Sequence, residues 1–319
     1  MFGMTNKDET DHLLSHRSNP LELSEVVTDI QQRITAAGDL EHVSVAQQLD
    51  LLDQLTQFDL GRFLLINKGL NGYWTDYILT HPWYGRKTGK NNSGDPFSKV
   101  ETFLLDQAPS LLATQQRFEI FLRENQKMVV NNAVLACIPC GLMGELLHLN
   151  FDAVDTISLL GIDFDSETLK EAESLAAKRQ LTDWATFMQK DAWSLDVMNT
   201  YDLISSNGLN IYEPDNDKVT ELYREFHMAL KPGGKLVTSF LTPPPSDIDS
   251  GDWLMDKIDQ SNLLLQKTLF VDILGVKWQC FRSSFQTQAQ LESVGFKDIQ
   301  FIYDQAHMFP TVTAIKGSV

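Results

Sequence analysis

A carboxylate in the middle of the chain stands where a nucleoside sugar could be bound. Asp163 closes the apolar run 156–163 and lies about 22 residues after Gly141. A carboxylate at the end of a strand can accept hydrogen bonds from both hydroxyls of a ribose, as in dinucleotide-binding folds. Phe164 follows it and offers an apolar face to an adenine base. These residue types and their spacing predict a nucleoside site at a strand end.

A glycine-containing turn, CIPCGLMG from Cys137 to Gly144, precedes this carboxylate in the chain. Gly141 would let the backbone approach a ligand closely, and Pro139 can hold a tight turn at a fixed φ. An ordinary strand-to-helix turn is the alternative interpretation. Cys137 and Cys140 form a C-x-x-C with no second pair to complete a zinc site, so we expect no metal there.

Near-continuous apolar runs surround these positions and predict the strands that hold them. The runs are AVLACI (133–138), TISLLGID (156–163), ATFMQKD (185–191), YDLIS (201–205) and KLVTSF (235–240). Such runs are typical of strands buried on both faces of a parallel sheet, and the helical stripes between them imply right-handed crossovers. Two later runs, 295–304 and 310–316, suit a closing strand pair. The predicted fold is α/β, with one doubly wound, seven-stranded, mostly parallel sheet.

The first 130 residues show helical periodicity and cannot supply this sheet. Ser44 and Gln47 have the S-x-x-Q spacing of a capping box, and a further helix is expected over 98–127. We therefore predict a domain series in which a helical cap precedes the sheet. Its parts are a mobile tail (1–20), a helical cap or substrate domain (21–130) and a sheet domain (131–319) with a lid insertion at about 243–284.

The order of strands and helices, with the residues at the strand ends, resembles class I S-adenosylmethionine-dependent methyltransferases. In that family the first turn has an acidic residue followed by G-x-G-x-G. Gly141 matches the central glycine, whereas Pro139 and Met143 stand in place of the first and third. Cys137 replaces the acidic residue. The resemblance implies a Rossmann-like domain over 131–319 and S-adenosylmethionine as the cofactor.

The resemblance also implies which residues contact the cofactor. Asp163 would bind the ribose, Asp191 the adenine amino group, and Ala192 would lie beside the ring. The full expected set is Pro139, Cys140, Gly141, Asp163, Phe164, Asp191, Ala192, Asn207 and Gly208. An isolated aspartate after a strand is also a common turn former, and that alternative stays open for Asp191.

The segment after the fourth apolar run commonly borders the methyl group in this family. It does not read N-P-P-Y or D-P-P-Y, the signature associated with methylation of base or amide nitrogens, which argues against DNA and glutamine targets. An aromatic block in the helical part could add an apolar wall to an acceptor pocket. The residues expected to contact the substrate are Tyr73, Trp74, Tyr77, Asn210 and Tyr212.

Methyl transfer from a sulfonium is an in-line displacement, so the protein mainly contributes alignment and exclusion of water. A base could still help a hydroxyl or carboxylate acceptor, and the candidates are His81, Tyr73 and Glu213. Structural roles stay open for all three. His81 precedes a proline, Tyr73 lies at core-like spacing, and Glu213 could belong to a solvated helix start.

Composition limits the partners that the chain can have. Twenty-six Lys and Arg against 43 Asp and Glu give a formal charge of −17, which repels nucleic acid and anionic membrane surfaces. The polar N-terminus does not resemble a secretory signal, and no apolar run approaches the ~20 residues of a membrane span. We therefore expect a cytoplasmic protein with a small-molecule substrate, while the oligomeric state cannot be predicted.

The favoured hypothesis is an S-adenosylmethionine-dependent methyltransferase acting on a small, partly apolar molecule. The alternative is a related protein that binds the cofactor or a similar nucleoside without catalysis and acts as a regulatory or partner module. Pro139, Met143 and the missing acidic residue at Cys137 motivate that alternative. A nicotinamide-dependent oxidoreductase is disfavoured, because the turn lacks G-x-G-x-x-G.

Overall fold

The computed structural model describes residues 22–245, 251–276 and 280–317, and these form two compact units. The helical unit comprises residues 22–112 and 258–276, and the sheet unit comprises residues 113–245, 251–257 and 280–317. The mobile tail predicted over 1–20 lies outside the described residues. Within the described ranges, no helix has both the length and the apolarity needed to cross a bilayer.

Twelve α-helices are described, numbered in chain order. They are α1 (Leu23–Ala37), α2 (Val45–Leu55), α3 (Asp59–Asn67), α4 (Gly72–Thr80), α5 (Gly85–Thr88), α6 (Lys99–Asp106), α7 (Pro109–Gln126), α8 (Gly144–Leu147), α9 (Ser166–Lys178), α10 (Asn216–Ala229), α11 (Gln260–Lys267) and α12 (Ser284–Ser293). The predicted capping box at the start of α2 is confirmed. Gln47 N donates to Ser44 Oγ at 3.3 Å, and Ser44 N donates to Gln47 Oε1 at 2.9 Å.

Part of the predicted insertion completes the core of the helical unit. Residues Thr268–Ile273 form a π-helical segment directly after α11, and Leu269 and Ile273 are fully buried in the same apolar cluster as Ile34. Arg33 on α1 donates to the carbonyl oxygens of Asp272 and Ile273. Residues 258–276 are therefore structural in this unit, and the lid function proposed for 243–284 stays a prediction.

The sheet unit contains all seven strands. They are β1 (Val134–Cys137), β2 (Ser158–Asp163), β3 (Ala185–Gln189), β4 (Tyr201–Ser206), β5 (Leu230–Ser239), β6 (Phe296–Ile302) and β7 (Thr311–Lys316). Their order is β3-β2-β1-β4-β5-β7-β6, and β7 alone among these strands runs antiparallel to both of its neighbours. The predicted doubly wound sheet with a closing strand pair is confirmed.

The strand order reverses at β1, which places a crevice there. Cys137 pairs with Gly161 of β2 on one side and with Ser205 of β4 on the other, so the three strands end close together. Leu135 and Ala136 are both fully buried, because helices cover both faces of the sheet. Ligands of open α/β sheets bind outside the carboxyl ends of the strands at such a reversal.

The boundary between the two units lies inside α7 and not at residue 131, where the domain boundary was predicted. The sheet unit begins at Ala113, inside this helix, and Lys235 Nζ lies 2.8 Å from Glu124 Oε2 in a largely buried ion pair between α7 and β5. The helical stretch expected over about 98–127 consists of two helices, α6 and α7. The second begins at Pro109, a residue that suits the first position of a helix but not its interior.

Candidate functional site at the strand ends

The turn after β1 is held against the end of β2. Cys140 N donates to Ile162 O at 2.8 Å, and Gly141 N donates to Asp163 Oδ2 at 3.0 Å. Gly141 has a φ of 48°, in the left-handed region that favours glycine, and a Cβ on it would meet no atom within 4 Å. The backbone at Gly141 thus borders open space, as expected for a turn that receives a ligand.

Asp163 lies half-buried at the carboxyl end of β2. In addition to Gly141 N, its carboxylate accepts a hydrogen bond from Asp165 N at 3.1 Å. Each carboxylate oxygen has two acceptor sites, so both retain capacity for a hydroxyl group. Burial raises the pKa of Asp163, and the backbone donors oppose that shift. The neighbouring Phe164 side chain is 73% exposed, which leaves its ring face available to a planar ligand.

The end of β3 gives different environments to the two residues predicted there. Asp191 is exposed, and its Oδ1 accepts a hydrogen bond from Trp193 N at 2.9 Å, which is the geometry of a turn former. Ala192 is 8% exposed and packs in the apolar core, so its methyl group points away from the edge. The adenine contacts of both residues stay predictions.

A buried carboxylate that sequence reasoning missed lies between β1 and β4. Glu145 on α8 is 8% exposed, and its Oε1 accepts a hydrogen bond from Asn207 Nδ2 at 2.8 Å. Asn207 Oδ1 in turn accepts from Ser239 Oγ at 3.1 Å, and Gly208 follows with a φ of 96°. The signal available in the sequence was the acidic residue directly after Gly144, eight positions beyond the cysteine that replaces the expected acid.

The two cysteines of the turn are buried thiols without a disulfide. Cys137 Sγ lies 3.7 Å from Glu145 Oε2. Burial first, and the nearby carboxylates second, raise the pKa of both Cys137 and Cys140, so both stay protonated at neutral pH. Cys140 is 3% exposed, and its backbone N and O are both hydrogen-bonded within the protein, whereas Pro139 is partly exposed, so the ligand contact predicted for Cys140 stays a prediction. Among the described residues, no cluster of His, Cys, Asp and Glu could hold a metal ion.

The segment after β4 contains two residues predicted to contact the substrate, Asn210 and Tyr212, and only the second is accessible. Asn210 is 2% exposed and donates to Tyr223 Oη at 2.9 Å, so its side chain supports the core and does not face an acceptor. Tyr212 is 38% exposed and remains a candidate. Glu213 Oε1 accepts from Asp215 N at 2.8 Å, which shows that this carboxylate helps to form the turn before α10.

The aromatic residues predicted in the first part of the chain lie in the helical unit. Tyr73, Tyr77 and His81 border a pocket of about 250 Å³ in that unit. Trp74 does not: it is 6% exposed and packs edge-on against both tyrosine rings in the apolar core. The predicted substrate contact of Trp74 is therefore corrected to a packing role.

The candidate bases of the helical unit are poorly suited to accept a proton. His81 is 2% exposed, and its Nε2 lies 3.1 Å from Asp106 Oδ1 without hydrogen-bond geometry, so its ring is enclosed inside the unit. Burial raises the pKa of Tyr73, which keeps the phenol protonated at neutral pH. Burial and the Glu101 carboxylate do the same for Tyr77, whose hydroxyl donates to Glu101 Oε1 at 3.3 Å.

The sheet unit thus brings together the residues expected to bind a nucleoside. Gly141 and Asp163 are in direct contact, and Asn207 is connected to the same turn through Glu145. Residues 138–234, which contain this site, match the family model described as a methyltransferase domain. The strand order is the one expected for that fold. The sheet unit thus contains a methyltransferase domain of the class I, S-adenosylmethionine-dependent type.

Solved structures extend this comparison. A crystal structure described as a possible exported protein from Bordetella parapertussis is 43% identical, with a TM-score of 0.84, over 93% of this chain and 96% of that chain. Magnesium protoporphyrin IX methyltransferase from Synechocystis PCC 6803 with bound SAH is 14% identical over 77% of this chain and 98% of that chain, with a TM-score of 0.47.

Phosphoethanolamine N-methyltransferase 2 from Haemonchus contortus, in complex with S-adenosyl-L-methionine, is also similar. It is 14% identical over 63% of this chain and 52% of that chain, with a TM-score of 0.45. No curated protein matches the chain. Methyltransferases with this domain use S-adenosylmethionine as their methyl donor.

Proposed function

We propose that this protein transfers a methyl group from S-adenosylmethionine to a small, partly apolar acceptor. The observation that carries the proposal is the hydrogen bond of 3.0 Å between Gly141 N and Asp163 Oδ2. It joins a glycine turn that borders open space to a carboxylate at the neighbouring strand end. A nucleoside with an attached amino acid needs both features, one for the amino-acid part and one for the sugar.

The residues around this turn fit the donor in shape and charge. Asp163 would accept the ribose hydroxyls, Phe164 would cover the adenine, and the backbone at Gly141 would lie against the methionine part. When bound, S-adenosylmethionine supplies a methyl group on a positively charged sulfur. The Glu145 carboxylate next to Asn207 favours a positively charged ligand at this edge of the sheet.

The chain's own contribution to the reaction is alignment and exclusion of water. Asn207 is held from two sides, by Glu145 and by Ser239, so the segment after β4 is pre-organised beside the turn. Tyr212 on that segment could contact the acceptor. Of the three candidate bases, Glu213 is the one in the sheet unit, and its role as a base stays a proposal.

A related protein that binds the donor without transferring methyl groups is the second candidate. Pro139 and Met143 occupy positions where the family usually has glycine, and Met143 is fully buried with a φ of 60°. A side chain at that position narrows the turn compared with glycine. Binding and turnover must therefore be measured separately.

The test is calorimetry followed by a transfer assay on the full chain. We expect saturable binding of S-adenosylmethionine and S-adenosylhomocysteine, and transfer of a radiolabelled methyl group to at least one compound in a panel of small hydroxyls, amines and carboxylates. Absence of binding by both nucleosides would refute the proposal. Tight binding without transfer to any class of acceptor would support the non-catalytic candidate instead.

The cytoplasmic location and the absence of a nucleic-acid partner stay part of the proposal. The charge of −17 supports the second of these. The Bordetella relative is described as a possible exported protein, so the location needs its own measurement. Fractionation of cells that express the full chain would place it inside or outside the cytoplasm, and recovery in the exported fraction would contradict the prediction.

A further inference from the structure

One cation of the sheet unit has no polar partner within the described ranges. Arg117 lies on α7, and its guanidinium carbon is 5.3 Å from the centre of the Phe309 ring. Its Nε atom is buried without a hydrogen-bond partner, and no described residue forms an ion pair with the guanidinium. A buried donor of this kind costs free energy unless a ligand or another group satisfies it.

The nearest charged or ionisable side chains do not meet this need. Tyr212, Glu145 and Asp304 act on the pKa of Arg117 in the upward direction, whereas burial lowers it more strongly. The Asp304 carboxylate already accepts hydrogen bonds from Met308 N and from the backbone N of Phe309. Glu145 is bound by Asn207. Their charges therefore reach Arg117 without a hydrogen bond or ion pair.

A different arginine in the same unit, which is buried as a whole, shows the contacts of a structural arginine. Arg282 is 2% exposed, and its guanidinium donates to Asn216 Oδ1 at 3.0 Å, to Asn210 O at 2.8 Å and to Glu213 O. All three guanidinium nitrogens of Arg282 therefore donate hydrogen bonds within the protein. The guanidinium of Arg117 instead lies over the Phe309 ring, and its Nε donor has no acceptor, an arrangement that a planar anion could complete.

The position of Arg117 separates it from the proposed nucleoside contacts. Asp163 ends β2 and Asp191 follows β3, on one side of the strand reversal. Phe309, whose ring the guanidinium of Arg117 faces, precedes β7, and Tyr212, whose ionisable hydroxyl influences the pKa of Arg117, follows β4. Both of these strands lie on the other side of the reversal. A donor bound at Asp163 leaves that second side for the acceptor.

We propose that Arg117 binds a carboxylate group of the methyl acceptor, so that the substrate is a small molecule with an apolar body and a carboxylate. The inference rests on the proposed function and deepens it. A chain of net charge −17 repels anions in general, and a guanidinium whose Nε donor lacks an acceptor supplies the local attraction that would recruit one. Phe309 and Tyr212 would contact the apolar part of such a molecule.

The experiment uses the full chain saturated with S-adenosylhomocysteine. Benzoate, cinnamate, indole-3-acetate and succinate are titrated by calorimetry, each beside its primary amide, against wild type, Arg117→Gln, Arg117→Lys and the exposed control Arg224→Gln. We expect carboxylates to bind better than amides in wild type and in Arg224→Gln. Arg117→Gln should weaken carboxylate binding about ten- to a hundredfold and remove the preference, because a charge-assisted hydrogen bond is lost.

The outcomes separate this inference from the proposed function. Unchanged S-adenosylhomocysteine affinity in Arg117→Gln, with loss of carboxylate preference, supports the acceptor role. A large loss of S-adenosylhomocysteine affinity would instead assign Arg117 to the donor's carboxylate and overturn it, while the proposed function stands. Equal binding of carboxylates and amides by wild type also overturns it. If Arg117→Gln does not fold, Arg117→Lys, which keeps the charge but not the fork, should show a reduced preference.

Discussion

The sequence predicted ligand-binding residues both at the strand ends of the sheet unit and in the aromatic block of the helical unit. The structure gives the two sets different surroundings. At the strand ends, Gly141 and Asp163 meet directly and keep open space and acceptor capacity. In the helical unit, Trp74 is core and His81 is enclosed beside Asp106. The strand order of the sheet positions the strand-end residues, whereas side-chain packing determines which residues of the helical unit are accessible.

The largest expected effect is on the strand-end site. Asp163→Ala removes the acceptor of both ribose hydroxyls and should weaken S-adenosylmethionine binding at least about a hundredfold, since two hydrogen bonds to a charged group are lost. Calorimetry measures this, with a thermal melt to show that the fold persists. Asp165→Asn, which keeps an oxygen for the α9 cap, is the matched control. Wild-type affinity in Asp163→Ala would contradict the placement of the nucleoside.

His81→Ala tests the helical unit by the opposite criterion. We expect a loss of about 2 kcal/mol in the free energy of unfolding, because a buried ring and its contact with Asp106 are removed. Methyl transfer per folded molecule should stay unchanged. Urea unfolding and the transfer assay are compared on one preparation. A large fall in turnover without loss of stability would restore His81 as a catalytic base.

The two tyrosines of the aromatic pocket sharpen the comparison further. Tyr77→Phe should lower the free energy of unfolding by about 1 kcal/mol, because the Glu101 carboxylate loses a donor. Tyr73→Phe, the matched control in the same helix, should change it by less than about 0.5 kcal/mol. Equal effects on stability, with reduced turnover in both variants, would instead indicate substrate contacts.

The smallest expected effect is a pH dependence at Asp163. Burial raises the pKa of this group in the folded protein above its ordinary value of 3.8, so the folded state holds its proton more tightly than the unfolded state. Stability from this group is therefore present at low pH and is lost as pH rises from 3.8 through the raised pKa. Urea unfolding of wild type relative to Asp163→Asn should show the difference falling over that window. A rising difference would mean that the pKa is lowered.

The success of sequence reasoning follows the same division. Hydrophobic periodicity predicted all seven strands, and strand-end chemistry singled out Gly141 and Asp163, which the structure places in direct contact. These features depend on backbone alternation, which a single chain displays directly. The substrate contacts predicted for Asn210 and Trp74 were wrong, because residue type alone does not show whether an amide or an indole side chain faces a ligand or the core.

The residues that sequence reasoning missed are those brought in from distant positions. Arg117 precedes the first strand, and its neighbours Tyr212 and Phe309 come almost a hundred and almost two hundred residues later. No local period indicates such a meeting. Glu145 has a clearer sequence signal, because it directly follows the glycine-containing turn. It is also the acidic residue nearest in sequence to Cys137, which replaces the acidic residue of the family motif.

The position of residues 258–276 in the helical unit has a consequence for how the chain can be cut and how it is made. A fragment that starts near residue 131 would carry α11 and Thr268–Ile273 without the helices that cover Leu269 and Ile273. Those side chains would face water and promote aggregation. During synthesis the N-terminal helices likewise cannot complete their apolar core until residues 258–276 have been made. The helical unit is therefore synthesised first, but its core is completed late.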